Sequence, residues 1–87
     1  MKTFKLTVAS PDGNKFSGEI TKLDVRGTEG ELAVMAGHVP FVTSIVPGVC
    51  ALWLDDENKK TATTDGGLLT VGKDEVTILA GSFKFDE

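Results

Sequence analysis

The fold of this chain is indicated most clearly by residues 23–34, which read Leu23-Asp24-Val25-Arg26-Gly27-Thr28-Glu29-Gly30-Glu31-Leu32-Ala33-Val34. Apolar residues recur with a period of two on both sides of the central turn, as at Leu32 and Val34. Successive side chains of a strand point to opposite faces of a sheet, so this period indicates strands. The glycines at the two ends of the central Gly27-Thr28-Glu29-Gly30 segment suit a tight turn. The stretch therefore predicts strands joined by a turn.

The same alternation and the same kind of turn recur along the rest of the chain. Alternating apolar residues occur at Phe4, Leu6 and Val8, at Leu69 and Val71, at Val76 and Ile78, and at Phe83 and Phe85. Further turn signals occur at residues 11–14, 37–40, 47–48, 55–58, 65–67 and 72–74. Short strands separated by turns at such intervals are typical of a β-sandwich or barrel. We predict an all-β fold of about nine strands, with residues 1–87 forming a single domain.

Two segments depart from clean alternation. Ile20 is out of phase with Leu23 and Val25, so one of them faces the wrong side unless a β-bulge intervenes. The run from Val49 to Leu54 is apolar on both faces. That pattern indicates a central strand, or one whose outer face is covered by another chain.

Composition excludes several classes of function. The chain has 87 residues, of which 40% are hydrophobic and 25% charged, and its net charge is −4. Its basic residues are dispersed, so we expect neither nucleic-acid binding nor attraction to anionic lipid. No window approaches the roughly 20 apolar residues of a membrane-spanning helix, so we expect no direct membrane insertion. The single cysteine, Cys50, lies in an apolar run and is interpreted as a small buried hydrophobe.

The residues that carry catalysis are sparse. The only histidine is His38, and no serine lies in a nucleophile motif. Most acids fall in turns, and the acidic run 55–58 lacks the alternating ligands of a calcium loop. We therefore predict no catalytic residue, no cofactor site and no metal site. A hydrolase that uses two turn carboxylates is the least favoured alternative.

One set of motifs is richer than structural turns require. It comprises Phe16-Ser17-Gly18, Gly27, Gly30-Glu31-Leu32, Ala36-Gly37-His38, Pro40, Pro47-Gly48, Asp65-Gly66-Gly67-Leu68-Leu69-Thr70-Val71 and Val76-Thr77-Ile78-Leu79-Ala80. In this order, these motifs resemble the N-terminal domain of the epsilon subunit of F-type ATP synthases, called delta in mitochondria. The match covers nearly the whole chain.

The resemblance implies a ten-stranded β-sandwich of two sheets. It also implies a non-catalytic rotor subunit of the central stalk in a proton-translocating ATP synthase. Such a subunit links the gamma subunit to the c-ring and couples ion flow to ATP synthesis. It is peripheral, at the cytoplasmic face of the bacterial inner membrane. The positions matching Glu29, Gly30 and Glu31 face the c-ring, and those matching Ser10, His38, Pro40 and Thr43 lie toward gamma.

Family members usually continue into a C-terminal helical hairpin that inhibits ATP hydrolysis and, in some bacteria, binds ATP. This sequence stops just after the sandwich, so the resemblance predicts that the hairpin, its inhibition and an ATP site are absent. It does not decide between a shortened version and a naturally short form. A homodimer through the gamma-facing surface is a further expectation for the isolated chain. The alternative function is a stand-alone sandwich that binds a ligand or peptide through a concave pocket or an unpaired sheet edge.

Overall fold

Ten strands make up most of residues 2–86, the part of the chain that the computed structural model describes. They are β1 (Phe4–Ser10), β2 (Gly13–Ile20), β3 (Lys22–Gly27), β4 (Gly30–Met35), β5 (Phe41–Ile45), β6 (Gly48–Trp53), β7 (Lys59–Thr64), β8 (Gly67–Val71), β9 (Glu75–Ala80) and β10 (Phe83–Phe85). No helix in this range is long and apolar enough to cross a membrane. The predicted all-β fold is confirmed.

The strands form two five-stranded sheets that meet at a single point. Sheet I has the order β4-β3-β6-β7-β10, and sheet II has the order β5-β8-β9-β1-β2. All neighbours are antiparallel except β1 and β9. Between the sheets, β3 pairs with β5 only at Gly27 and Ile45. Beside this pair, the amide of Val46 donates to the carbonyl of Arg26 at 3.0 Å. The two-sheet sandwich is thus confirmed, with the sheets joined at one corner.

That corner divides a nearly continuous strand between the two sheets. β5 pairs with β8 in sheet II, and after Val46 and Pro47 the chain resumes as β6 in sheet I. The β7–β8 turn packs against the corner through Gly66, which has a φ of 107°. A Cβ atom there would lie 2.8 Å from the carbonyl oxygen of Ile45. Only glycine therefore allows this approach.

A second change of sheet explains the irregular phase around Ile20. β2 ends in sheet II and β3 begins in sheet I, with Thr21 between them. The amide and the hydroxyl of Thr21 both donate to the carbonyl of Trp53, at 2.7 and 3.0 Å. Ile20 and Leu23 are consequently both buried, because each faces the core from its own sheet. No bulge is needed here, and the register of β1 and β2 shifts elsewhere, where Lys15 of β2 is the extra residue between the pairs Val8–Phe16 and Ala9–Asn14.

The core is built from the inward residues of both sheets. Its fully buried members include Leu6, Val8, Ile20, Leu23, Val34, Cys50, Leu52, Leu69 and Ile78. Burial raises the pKa of the Cys50 thiol to about 11, which keeps it neutral and confirms its role as a small hydrophobe. β6 lies between β3 and β7, so the predicted central strand is also confirmed.

Candidate functional site

The β3–β4 hairpin presents the acidic segment predicted to face a c-ring. Gly27 pairs with Gly30 and closes a two-residue turn, in which Gly30 has a φ of 120°. Glu29, Gly30 and Glu31 are all exposed. A carboxylate oxygen of Glu31 lies 3.7 Å from the guanidinium of Arg26, its direct partner on β3. The turn therefore carries two accessible acids and one base.

The base of this hairpin is held firmly. Gly27 is buried, and a Cβ atom there would lie 3.1 Å from the side chain of Leu32. Its pairing with Ile45 and the bond from Val46 to Arg26 fix the same point from sheet II. The exposed acids consequently extend from a rigid support and lose little conformational freedom when they bind.

The hairpin lies beside β5. Residues 27–32 and residues 41–43 line one open groove of about 370 Å³. Thr43, predicted for a gamma contact, thus shares a groove with the three residues predicted for a c-ring contact. The sequence pattern did not indicate this proximity, because it depends on the crossing of β3 and β5.

His38 and Pro40 lie in the exposed loop that connects β4 to β5. The imidazole of His38 packs against the ring of Phe41, with centroids 4.9 Å apart. Its Nδ1 atom lies 3.0 Å from the carbonyl oxygen of Val39, and its amide donates to Met35 at 3.2 Å. Because Phe41 also lines the groove beside Thr43, the structure brings His38 close to that groove.

Ser10 is separated from the other predicted gamma residues. It ends β1, where its hydroxyl accepts from the amide of Asp12 at 3.3 Å and donates to the carbonyl of Gly13 at 3.4 Å. Val8 is level with Thr43 across β9 and β8. Three strand spacings therefore place Ser10 roughly 14 Å across the sheet from Thr43 and about 7 Å further along it.

The strands between Thr43 and Ser10 present a largely uncharged outer surface on sheet II, opposite the phase of these two residues. We call the following outward residues the neutral face: Thr7, Ala9, Val42, Ser44, Leu68, Thr70, Thr77 and Leu79. None of these eight residues carries a charge, and the charged residues of the same outer surface, Lys5, Glu19 and Glu75, lie together at its other end. Val42, Leu68 and Leu79 are 61%, 40% and 52% exposed, and the two leucines are direct cross-strand neighbours. Apolar side chains gathered on an exposed sheet are typical of an interaction surface.

Sequence reasoning missed the neutral face. A usable signal was present, because Leu68 precedes the buried Leu69 and Leu79 follows the buried Ile78. Apolar residues at both phases of a strand indicate two covered faces. Only the run at residues 49–54 was interpreted in that way.

The outer surface of sheet I has a different character. We call the following outward residues the charged face: Lys22, Asp24, Arg26, Glu31, Lys59 and Lys84. Lys22 lies 3.8 Å from Asp24, and Asp24 also accepts from the indole of Trp53 at 3.0 Å. The ammonium of Lys59 lies 5.1 Å from the centroid of the Trp53 ring. Two ion pairs therefore link charges on this surface, which also exposes the apolar side chains of Met35 and Val49.

The described residues offer little support for hydrolysis by turn carboxylates. Asp55 accepts bonds from the amides of Glu57 and Asn58 and from the side chain of Asn58. The Asn58 side chain, and then the Glu57 amide, lower the pKa of Asp55, whereas a general acid needs a raised pKa. Between residues 2 and 86, no group of three or more His, Cys, Asp or Glu side chains could hold a metal ion.

Comparison with known proteins gives the family. Residues 3–85 match the β-sandwich domain of the ATP synthase delta/epsilon chain. The chain belongs to this family. A family relative from Acetobacterium woodii, the "ATP synthase epsilon chain, sodium ion specific", is 35% identical over 86 residues. That alignment covers 99% of this chain and 65% of the relative, so the chain spans about two-thirds of the relative's length.

Two solved structures of ATP synthases contain a chain with the same fold. One is the Euglena gracilis mitochondrial ATP synthase, OSCP/F1/c-ring, matched with a TM-score of 0.89 and 24% identity over 95% of this chain and 53% of that chain. Another is the central stalk/c-ring of the Tetrahymena thermophila mitochondrial ATP synthase, matched with a TM-score of 0.80 and 11% identity over 94% of this chain and 66% of that chain. At these identities the likeness shows the sandwich fold alone.

Proposed function

We propose that this chain is a non-catalytic central-stalk subunit of an F-type ATP synthase, linking the gamma subunit to the c-ring. The family match over residues 3–85 carries the proposal. In this role residues 1–87 act as one epsilon-type sandwich domain, which helps to couple ion flow to ATP synthesis. As part of the synthase, it lies at the cytoplasmic face of the bacterial inner membrane, peripheral to the bilayer.

The c-ring contact is assigned to Glu29, Gly30 and Glu31. The exposure of both carboxylates and the rigid hairpin base support this assignment. Acidic side chains on a protruding turn attract basic or polar groups of the ring loops and fix the orientation of docking. The hairpin therefore contributes more to the orientation of docking than to the surface area buried in the contact.

The gamma contact is assigned to Ser10, His38, Pro40 and Thr43. Ser10 and Thr43 lie on β1 and β5 of sheet II, and the neutral face on the outer surface of the same strands supports a contact in which gamma covers sheet II. The cores of protein interfaces are depleted of charge, as this face is. Ser10 and Thr43 themselves follow the buried phase of their strands, in line with Val8 and Leu69, so they lie outside the neutral face.

Co-elution with gamma tests this function. We expect the full chain and the gamma subunit of the same synthase to elute together from a sizing column. Replacing His38 with Trp is expected to weaken this complex, whereas replacing Glu31 with Lys is expected to weaken only binding to the c-ring. A chain that never co-elutes with gamma would instead favour the stand-alone binding module.

Run alone at high concentration, the chain is expected to dimerise through the neutral face, and gamma should dissociate that dimer.

The coupling ion can be tested separately. We propose a proton-driven synthase, although the Acetobacterium relative is named sodium ion specific. The complete synthase in vesicles should make ATP from a pH gradient and a membrane potential without added sodium. A strict requirement for sodium would overturn the choice of ion and leave the subunit assignment intact.

The isolated sandwich is expected neither to bind ATP nor to inhibit ATP hydrolysis, because both properties belong to the helical hairpin of longer relatives. Isothermal titration of the 87-residue chain with ATP should give no binding heat. A hydrolysis assay of the synthase's catalytic head with this chain added should show an unchanged rate.

A further inference from the structure

The hairpin predicted to face the c-ring carries a base as well as acids. Arg26 is the only arginine of the sequence. It lies on the outer surface of β3 directly opposite Glu31 on β4, and the two charged groups are 3.7 Å apart. The side chains of Arg26 and Glu31 are 60% and 80% exposed.

This pair contributes little to folding. Ion pairs between exposed side chains stabilise proteins weakly, because water and salt screen them. Both residues nevertheless extend from the most firmly held part of the hairpin, beside the pairing of Gly27 with Ile45. A guanidinium has five donors in a planar fork, and one carboxylate at 3.7 Å leaves most of them unused.

We propose that Arg26 is a specificity-determining residue of the ring contact, and that its guanidinium binds an acidic side chain on the facing loop. This inference rests on the proposed function. Arg26 and Glu31 then form a fixed dipole, and the matching loop of the ring must offer an acid and a base at a similar spacing. A loop that offered only bases would meet Arg26 unfavourably, which gives the hairpin a means of rejecting wrong partners.

The test measures the affinity of the full chain, in complex with gamma, for the detergent-solubilised c-ring of the same synthase. The variants are Arg26→Gln, Glu31→Gln and the double change, with Lys84→Gln as the matched control. Lys84 belongs to the charged face but lies on β10, three strands from β3 in sheet I. Thermal midpoints should agree among all variants, which separates recognition from folding.

We expect Arg26→Gln to weaken ring binding about five- to tenfold, in the wild-type and in the Glu31→Gln background alike. The affinity of the Arg26→Gln variant for the ring should also depend less steeply on salt concentration. The Lys84→Gln control should bind the ring as tightly as the wild type. If Arg26→Gln has no effect in the Glu31→Gln background, Arg26 acts only through Glu31 and the inference is wrong. If Arg26→Gln leaves binding unchanged or tighter, Arg26 merely shields its neighbour, and again the inference is wrong.

A failure of the proposed function has a different signature. In that case the complex with the wild-type chain does not bind the ring at all, and the inference about Arg26 is wrong together with the proposed function. Binding that is weakened by Glu31→Gln and untouched by Arg26→Gln supports the ring contact and overturns the role of Arg26 alone.

Discussion

The neutral face and the charged face are outer surfaces of the same sandwich, yet charged residues are distributed differently on them. On sheet I, Lys22 and Arg26 lie near Asp24 and Glu31, at 3.8 and 3.7 Å. On sheet II, the neutral face crosses four strands without a charge, and the charges of that surface, Lys5, Glu19 and Glu75, lie together at its other end. The charged residues of sheet I are instead spread over four of its strands, β3, β4, β7 and β10. This difference suits the neutral face of sheet II to burial against a partner, whereas the charges of sheet I favour water or, at the hairpin of Arg26 and Glu31, a charged partner.

The largest expected effect concerns the inside and the outside of sheet II. Leu69 is fully buried, whereas Leu68 before it is 40% exposed on the neutral face. Leu69→Ala should lower the free energy of unfolding by about 3 kcal/mol, because it leaves a cavity in the core. Leu68→Ala should lower it by less than about 1 kcal/mol. Urea denaturation of both variants compares them, and equal losses would show that the neutral face is already packed within the isolated chain.

The next effect compares the two outer faces directly. Leu79→Asp puts a charge at the centre of the neutral face and should weaken gamma binding by about 100-fold or more, since a buried unpaired charge is costly. The matched change, Thr63→Asp, puts the same charge on the exposed outer surface of sheet I. We expect Thr63→Asp to bind gamma normally in biolayer interferometry. A reversed order of the two affinities would assign gamma to sheet I.

A smaller effect is expected within the charged face. Trp53→Phe removes the indole N–H that donates a hydrogen bond to the Asp24 carboxylate. It also weakens the contacts of the aromatic ring with the ammonium groups of Lys22 and Lys59. The variant should lose about 1 kcal/mol of unfolding free energy and keep its affinity for gamma. Chemical denaturation and gamma binding on the same sample check both statements. A loss of gamma affinity without a loss of stability would contradict the solvent-facing role of sheet I.

The smallest effect concerns Asp55, at the end of sheet I where β6 turns to β7. The Asn58 side chain and the Glu57 amide hold its pKa below the ordinary value. Because the pKa of Asp55 is lower in the folded state, its ionised carboxylate stabilises the fold at pH values above the pKa of an unfolded aspartate, about 4. This stabilisation is lost as the pH falls through the folded-state pKa of Asp55. Asp55→Ala should therefore lower the thermal midpoint slightly at pH 7, and the difference should disappear near pH 2. A difference that persists at pH 2 would show that Asp55 acts through packing.

Much of the fold follows from local patterns. The period of two predicted the strands and most of the buried residues, such as Leu6, Val8 and Ile78, because alternate side chains of a strand share a face whatever its neighbours are. Turn residues predicted where strands end. The acidic hairpin at Glu29 to Glu31 was also visible, since a tight turn places its residues at the surface without help from the rest of the chain.

The arrangement of the candidate site was not visible, because it depends on strands that are distant in the sequence. Thr43 lies beside the hairpin only because β3 crosses to β5, and Ser10 lies apart from Thr43 because two strands of sheet II, β8 and β9, intervene. The phase of Ile20 changes because the chain passes between sheets at Thr21. Each of these features depends on which strands pair with each other and in which register, and local periodicity does not determine that.

The sequence by itself determined the secondary structure, the core residues and the family, because alternation, turn chemistry and ordered motifs are local properties of the chain. Only the tertiary structure decided which uncharged residues lie together on the outer surface of sheet II. Thr7, Val42, Leu68 and Leu79 come from four strands, and their neighbourhood arises from cross-strand register. A surface assembled in this way has no signature in any single segment, since the free energy that selects the register comes from the core on the opposite side of the sheet.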